Sequence, residues 1–114
     1  MSMRARIELV INDIDVLREA CARLNVAFLE GGKRKHIRIP GLKTRLDVKH
    51  VQGVAYELTA LAATESENTL LANMKHRIQQ AYAIERVKKE ARAKRMRVRE
   101  TRTEDGVRLV LTAY

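Results

Sequence analysis

Apolar residues recur at two spacings along this chain of 114 residues, and the switches between them divide it into elements. Met3, Ala5, Ile7, Leu9 and Ile11 alternate with Arg4, Arg6 and Glu8, the period of a strand with one buried face. Asn12-Asp13 ends that pattern. Asp13 is a good helix N-cap, Asp15 suits the positive end of a helix, and Ile14, Leu17, Cys21 and Leu24 supply one apolar stripe that Asn25 stops. Val26 to Leu29 reads as a second strand and Gly31-Gly32 as a turn. In the strand that follows, Lys33 to Ile39, Ile37 and Ile39 point one way while His36 and Arg38 point the other. Pro40-Gly41 breaks the run. Leu46 and Val48 suggest a strand ended by Gln52-Gly53, and Val54, Tyr56, Leu58 and Ala60 alternate once more.

From Thr64 the spacing changes to three and four. Leu71, Met74, Ile78, Ala81 or Tyr82, Ile84, Val87 and Ala91 form one stripe of a long helix within Thr64 to Arg97, with no Gly or Pro inside it. Thr64 and Glu67 have the spacing of a reciprocal capping box. Glu85 with Lys89 and Glu90 with Lys94 lie one turn apart in the favourable acid-first order. Such pairs contribute only about 0.2–0.5 kcal/mol each, so packing of the stripe must hold the helix. Met96 and Val98 then begin a strand whose other side carries Arg97 and Arg99. Glu104-Asp105-Gly106 marks a hairpin, and Val107 to Leu111 returns. The order strand, helix, three or four strands, long helix, hairpin predicts an α+β domain over 1–114. Its expected form is a mostly antiparallel sheet of five to six strands with one short and one long helix on one face.

Composition narrows the chemistry. Four aromatic residues and no Trp leave a core of Ile, Leu, Val, Met and Ala. The lone Cys21, on a helical stripe, reads as a buried thiol, which excludes an intramolecular disulfide and a thiolate zinc cluster and fits a reducing, cytoplasmic setting. No apolar run reaches a membrane span. The net charge of +9 is concentrated in two blocks: residues 33–53 carry seven cations and one acid, and residues 75–102 carry eleven cations and three acids.

The C-terminal half carries a resemblance. Leu70-Leu71, Ile78-Gln79-Gln80-Ala81-Tyr82-Ala83, Val87, Ala91, the strand around Val98 and Asp105 to Leu111 are similar to a family of small uncharacterised proteins. Its members are encoded in bacteria, including cyanobacteria, and as a hypothetical reading frame in algal chloroplast genomes. Members tend to have Trp after the Tyr-containing strand and Gly at the end of the long helix, where this chain has Leu61-Ala62-Ala63 and Arg95. The family brings no established activity. Some members are encoded near MoxR-type AAA+ ATPases, and the resemblance thereby implies a role in binding a protein partner.

His36, His50 and His76 form no ligand pair at helical or zinc-finger spacing, and no nucleophile elbow, Walker loop or dinucleotide fingerprint is present. Asp47 and Glu57 read as surface groups rather than an acid/base pair. The expectation is therefore a non-enzymatic protein without cofactor or metal. Lys33, Arg34, Lys35, Arg38, Lys43 and Arg45 form one candidate binding block, and Arg86, Lys89, Arg92, Lys94, Arg95, Arg97 and Arg99 the other. On one side of the fold they would track the backbone of a nucleic acid or another polyanion through counterion release. On opposing sides with acids interleaved, the remaining reading is an adaptor or regulator that meets an acidic protein surface and pairs through a sheet edge. The pattern leaves oligomeric state open, although an exposed final hairpin would allow sheet pairing.

Overall fold

A computed structural model describes residues 10–31, 34–43, 45–53, 55–60, 62, 64–104 and 106–113. In chain order the elements are β1 (Val10–Ile11), α1 (Ile14–Arg23), β2 (Ala27–Gly31), β3 (Arg34–Arg38) and β4 (Leu46–Gln52). Then come β5 (Ala55–Thr59), α2 (Glu65–Ala93), β6 (Met96–Thr103) and β7 (Gly106–Ala113). The fold is α+β. Five strands make an antiparallel sheet in the order β1-β5-β4-β3-β2, and β6 and β7 form a separate two-stranded ribbon. Most of the strand expected over Met3 to Ile11 lies outside the described residues.

The helix boundaries follow from their caps. Asp13 accepts the backbone N–H groups of Asp15 and Val16 at 3.1 and 3.3 Å, satisfying donors that the first turn of α1 leaves open. Asn25 leaves the helix with φ 56°, a conformation that Asn tolerates better than most residues. Thr64 likewise accepts the Glu67 amide at 3.2 Å at the start of α2. The return half of the expected box does not form. Glu67 is buried instead, and its Oε2 has no hydrogen-bond partner among the described residues.

Register assigns the faces of the large sheet. Ile37 opposes Leu46, Val48 opposes Leu58, and Ile11 opposes Tyr56, so all lie on one side of the pleat. These residues share a single core with Val16, Leu17, Ala20 and Cys21 of α1 and with Leu71, Met74, Ile78, Ala81 and Tyr82 of α2. The Tyr82 hydroxyl, at the edge of this core, accepts the amides of Asn12 and Asp13 at 3.3 and 3.1 Å. Each fully buried Leu or Ile here contributes about 1.5–3 kcal/mol by leaving water. Burial also pushes the Cys21 thiol up to about 11, so it is protonated and unreactive at neutral pH.

The stripe of α2 serves two partners. Ile84 and Ala91 are buried but lie outside that core. Ile84 is six residues beyond Ile78, which at about 100° per residue places it about 120° round the helix. Here β6 packs along α2. Eight strand residues extend over about 26 Å, the length of about seventeen helical residues, so the tip of the ribbon comes back alongside Arg77 and Gln80. Gly106, with φ 148°, opens β7 opposite Thr103. A Cβ at Gly106 would stand 2.8 Å from the Gln80 side-chain nitrogen. The glycine of the turn signal is thus used for a close approach to α2 as well as for the chain reversal.

Four charges join α1, α2 and the ribbon. Arg23 is hydrogen-bonded to Glu100 and lies 3.7 Å from Glu85, while Lys88 lies 3.7 Å from Glu100 and 3.8 Å from Glu85. The Arg23 hydrogen bond is the main reason that the Glu100 carboxyl is held below the ordinary glutamate value.

Candidate polyanion-binding surface

The two cationic blocks occupy separate surfaces. In β3, Arg34 and Arg38 share the open face of the large sheet with His36, and Lys35 falls on the opposite face across from Val48 and Glu30. Acids interrupt that open face, because His36 opposes Asp47 and Lys49 opposes Glu57. Lys43 and Arg45 are exposed in the connection before β4. Lys33 lies outside the described residues. The first block is therefore a mixed-charge surface split across two faces of a sheet. The joint surface expected from both blocks is not formed among the described residues, and a polyanion-binding reading is left to rest on the second block alone.

The second block is also divided, at the end of α2. Arg86 lies 3.6 Å from Glu90 on an exposed side of the helix. Lys89 donates to Asp13 at 2.5 Å, which raises the lysine and is the main reason that the Asp13 carboxyl is lowered. Both cations are engaged locally. Arg92, Lys94 and Arg95 are exposed at the exit, and among the described residues none has an acidic partner within ion-pair distance. Lys94 caps the helix by donating its amide to Glu90, and Arg95 follows with φ 54°. Glycine ordinarily takes that left-handed position.

The ribbon continues this surface. Arg97, Arg99 and Thr101 oppose Thr112, Val110 and Arg108, so these six residues share one face, while at the tip Thr103 and Gly106 border α2. Glu100 is on the other face, in the cluster with Arg23 and Lys88. The face away from α2 thus contains three arginines and two threonines among the described residues, with no carboxylate. Arg108 sits diagonally across from Arg99. Grouping cations by their nearness in sequence misses Arg108, because its segment is locally acidic. The signal was available in the turn: a two-residue loop at 104–105 pairs position 108 with 101, which alternation puts beside Arg97 and Arg99.

At the tip, an open cleft of about 680 Å³ runs between the end of α1, α2 and the ribbon. Arg77, Arg102 and Glu104 line it along with Arg23 and Gln80. Neither Arg77 nor Arg102 has an ion-pair partner among the described residues. Positive charge thus borders the ribbon at both ends.

Aromatic platforms are absent from this face among the described residues. Tyr82 is buried, and Tyr56 lies edge-on to His50, 5.3 Å between ring centroids, on the core side of the sheet. Among the described residues no three His, Cys, Asp or Glu side chains converge as a metal site would require, and no helix is long and apolar enough to cross a membrane. No protein-family model, curated protein or solved structure matches the chain.

Proposed function

We propose that the protein is a non-enzymatic module that binds the backbone of nucleic acid through the outward face of the β6–β7 ribbon and the exit of α2. The supporting observation is the ribbon face on which Arg97, Arg99 and Arg108 stand among Thr101 and Thr112, with no carboxylate among the described residues. Guanidinium groups give bidentate contacts to phosphate, and hydroxyls add donors without charge. Arg92, Lys94 and Arg95 extend the cationic track, against which the partial negative charge of the helix end, about half an elementary charge, is small. With no stacking side chain on this face among the described residues, recognition is directed to phosphate and weakly selective for sequence.

Anisotropy titration of a generic oligonucleotide over a range of salt tests this reading. Affinity falls steeply with salt, and replacing Arg97, Arg99 and Arg108 with Gln lowers the slope of log K against log salt by about 0.7–0.9 for each phosphate that is no longer neutralised. Replacing Lys43 and Arg45 changes the slope little. Unchanged binding by the triple variant overturns the proposal. The rival reading, an adaptor for an assembly such as a MoxR-type AAA+ ATPase, would instead give a stoichiometric protein partner that survives nuclease and is not displaced by oligonucleotide.

A further inference from the structure

Among the described residues, the ribbon has two unpaired edges that differ in charge. In an antiparallel pair of identical strands about a two-fold axis, opposed positions must add to an even number, because backbone groups face a given edge only at alternate residues. For β6 the two registers of greatest overlap put Arg99 opposite Arg99, or Glu100 opposite Glu100. Like charges directly opposed are destabilising, so β6 resists pairing with itself. For β7 the two corresponding registers put Leu109 or Val110 on the axis, and the strand carries one charge, Arg108. With Leu109 on the axis, the two Arg108 side chains become diagonal neighbours, about 7–8 Å apart. With Val110 on the axis, Arg108 opposes Thr112, Leu109 opposes Leu111, and the two arginines lie about four residues apart along the strands.

We propose that β7 pairs antiparallel with β7 of a second copy of this chain, on a two-fold axis through Val110, joining two ribbons into one four-stranded sheet. Three further observations fit this occupant. β7 has no Pro and only one charge to blunt its edge. Leu111, on the side facing α2, is 40% exposed, and the pairing sets it beside Leu109 of the partner. A two-stranded ribbon is marginal alone, whereas four strands support one another. Antiparallel pairing keeps like faces together, so the arginine-rich faces of both copies become one plane. The pairing rests on main-chain and apolar contacts and does not depend on the nucleic-acid reading.

Sedimentation equilibrium of the nuclease-treated full chain at high salt tests it. The expected mass is twice the 13.1 kDa of the chain, falling to the single-chain value in Val110→Lys, which sets two lysines opposite each other. Val110 points away from α2, and circular dichroism checks that this variant stays folded. Thr112→Glu, placed across from Arg108, lowers the dimer dissociation constant several-fold. Under mild oxidation Val110→Cys forms a disulfide-linked dimer and Leu109→Cys does not, Cys21 being fully buried. A single-chain mass at every attainable concentration, an unchanged dimer in Val110→Lys, or preferential cross-linking at 109 overturns the proposal. Loss of oligonucleotide binding with the dimer intact overturns only the function proposed above.

Discussion

The five-stranded sheet and the two-stranded ribbon are both antiparallel and both lie against α2, yet different forces hold them. The sheet buries Ile37, Leu46 and Leu58 completely, in one core with two helices. No residue of β6 or β7 is fully covered; Met96, Val98, Val107 and Leu109 are half-buried. Alternation is equally regular in the two regions, so alternation alone does not measure burial. A layer that covers the apolar face is also needed, and α2 supplies only a second, narrower stripe to the ribbon. Its docking therefore leans on the cluster around Arg23 and Glu100 as well as on packing.

Core truncation should separate the two regions most sharply. Leu58→Ala is expected to cost about 2–5 kcal/mol by denaturant unfolding, since the transfer term and the cavity add at a fully buried site. Val98→Ala, in a half-buried site, should cost about 1 kcal/mol or less. Similar costs at the two sites would show that the ribbon is as much a part of the core as the sheet.

Acid should act next, and on the ribbon first. Because the Glu100 carboxyl is lowered in the folded protein, chiefly by Arg23, its stabilisation is complete above the ordinary value of 4.5 and fades as pH falls through the lowered one. Amide hydrogen exchange, corrected for intrinsic rates, should show β6 and β7 opening before β3–β5 as pH drops below 4.5. Arg23→Ala should open the ribbon already at neutral pH. It leaves Glu85 and Glu100 with Lys88 as their remaining shared cation. Uniform loosening of sheet and ribbon would contradict the division.

The smallest effect belongs to the helix exit. Arg95 has φ 54°, and Arg95→Gly should stabilise the fold by up to about 1 kcal/mol through relief of that conformation. The same change should weaken oligonucleotide binding modestly, by removing a cation next to the ribbon. A gain in stability with unchanged affinity would confine the binding face to the strands.

Much of this architecture was legible because its causes are local. Asp13 and Thr64 mark helix starts through the oxygens they offer to open amides, and Asn25 marks a helix end through its tolerance of positive φ. Alternation around Ile37 and Leu58 picked out the buried side of strands. The capping box at Glu67 was legible only in part: its forward bond is local, but the fate of the carboxylate depends on what packs over it. The candidate site was harder to read. The sequence groups cations by their nearness along the chain, whereas strand pairing groups them by parity. Parity separates Lys35 from Arg34 and brings Arg108 to Arg99.

By itself the sequence determined the element types, the caps, the hairpin and the total of cations over acids, because each depends on neighbours within a few residues. Only the tertiary structure decided that the stripe of α2 is shared between two partners, that the hairpin stands apart from the main sheet, and that acids engage the second cationic block along α2 but not, among the described residues, on the outward face of the ribbon. Those outcomes depend on which faces meet across long separations in the chain, where register and helical phase set the neighbours of every charge.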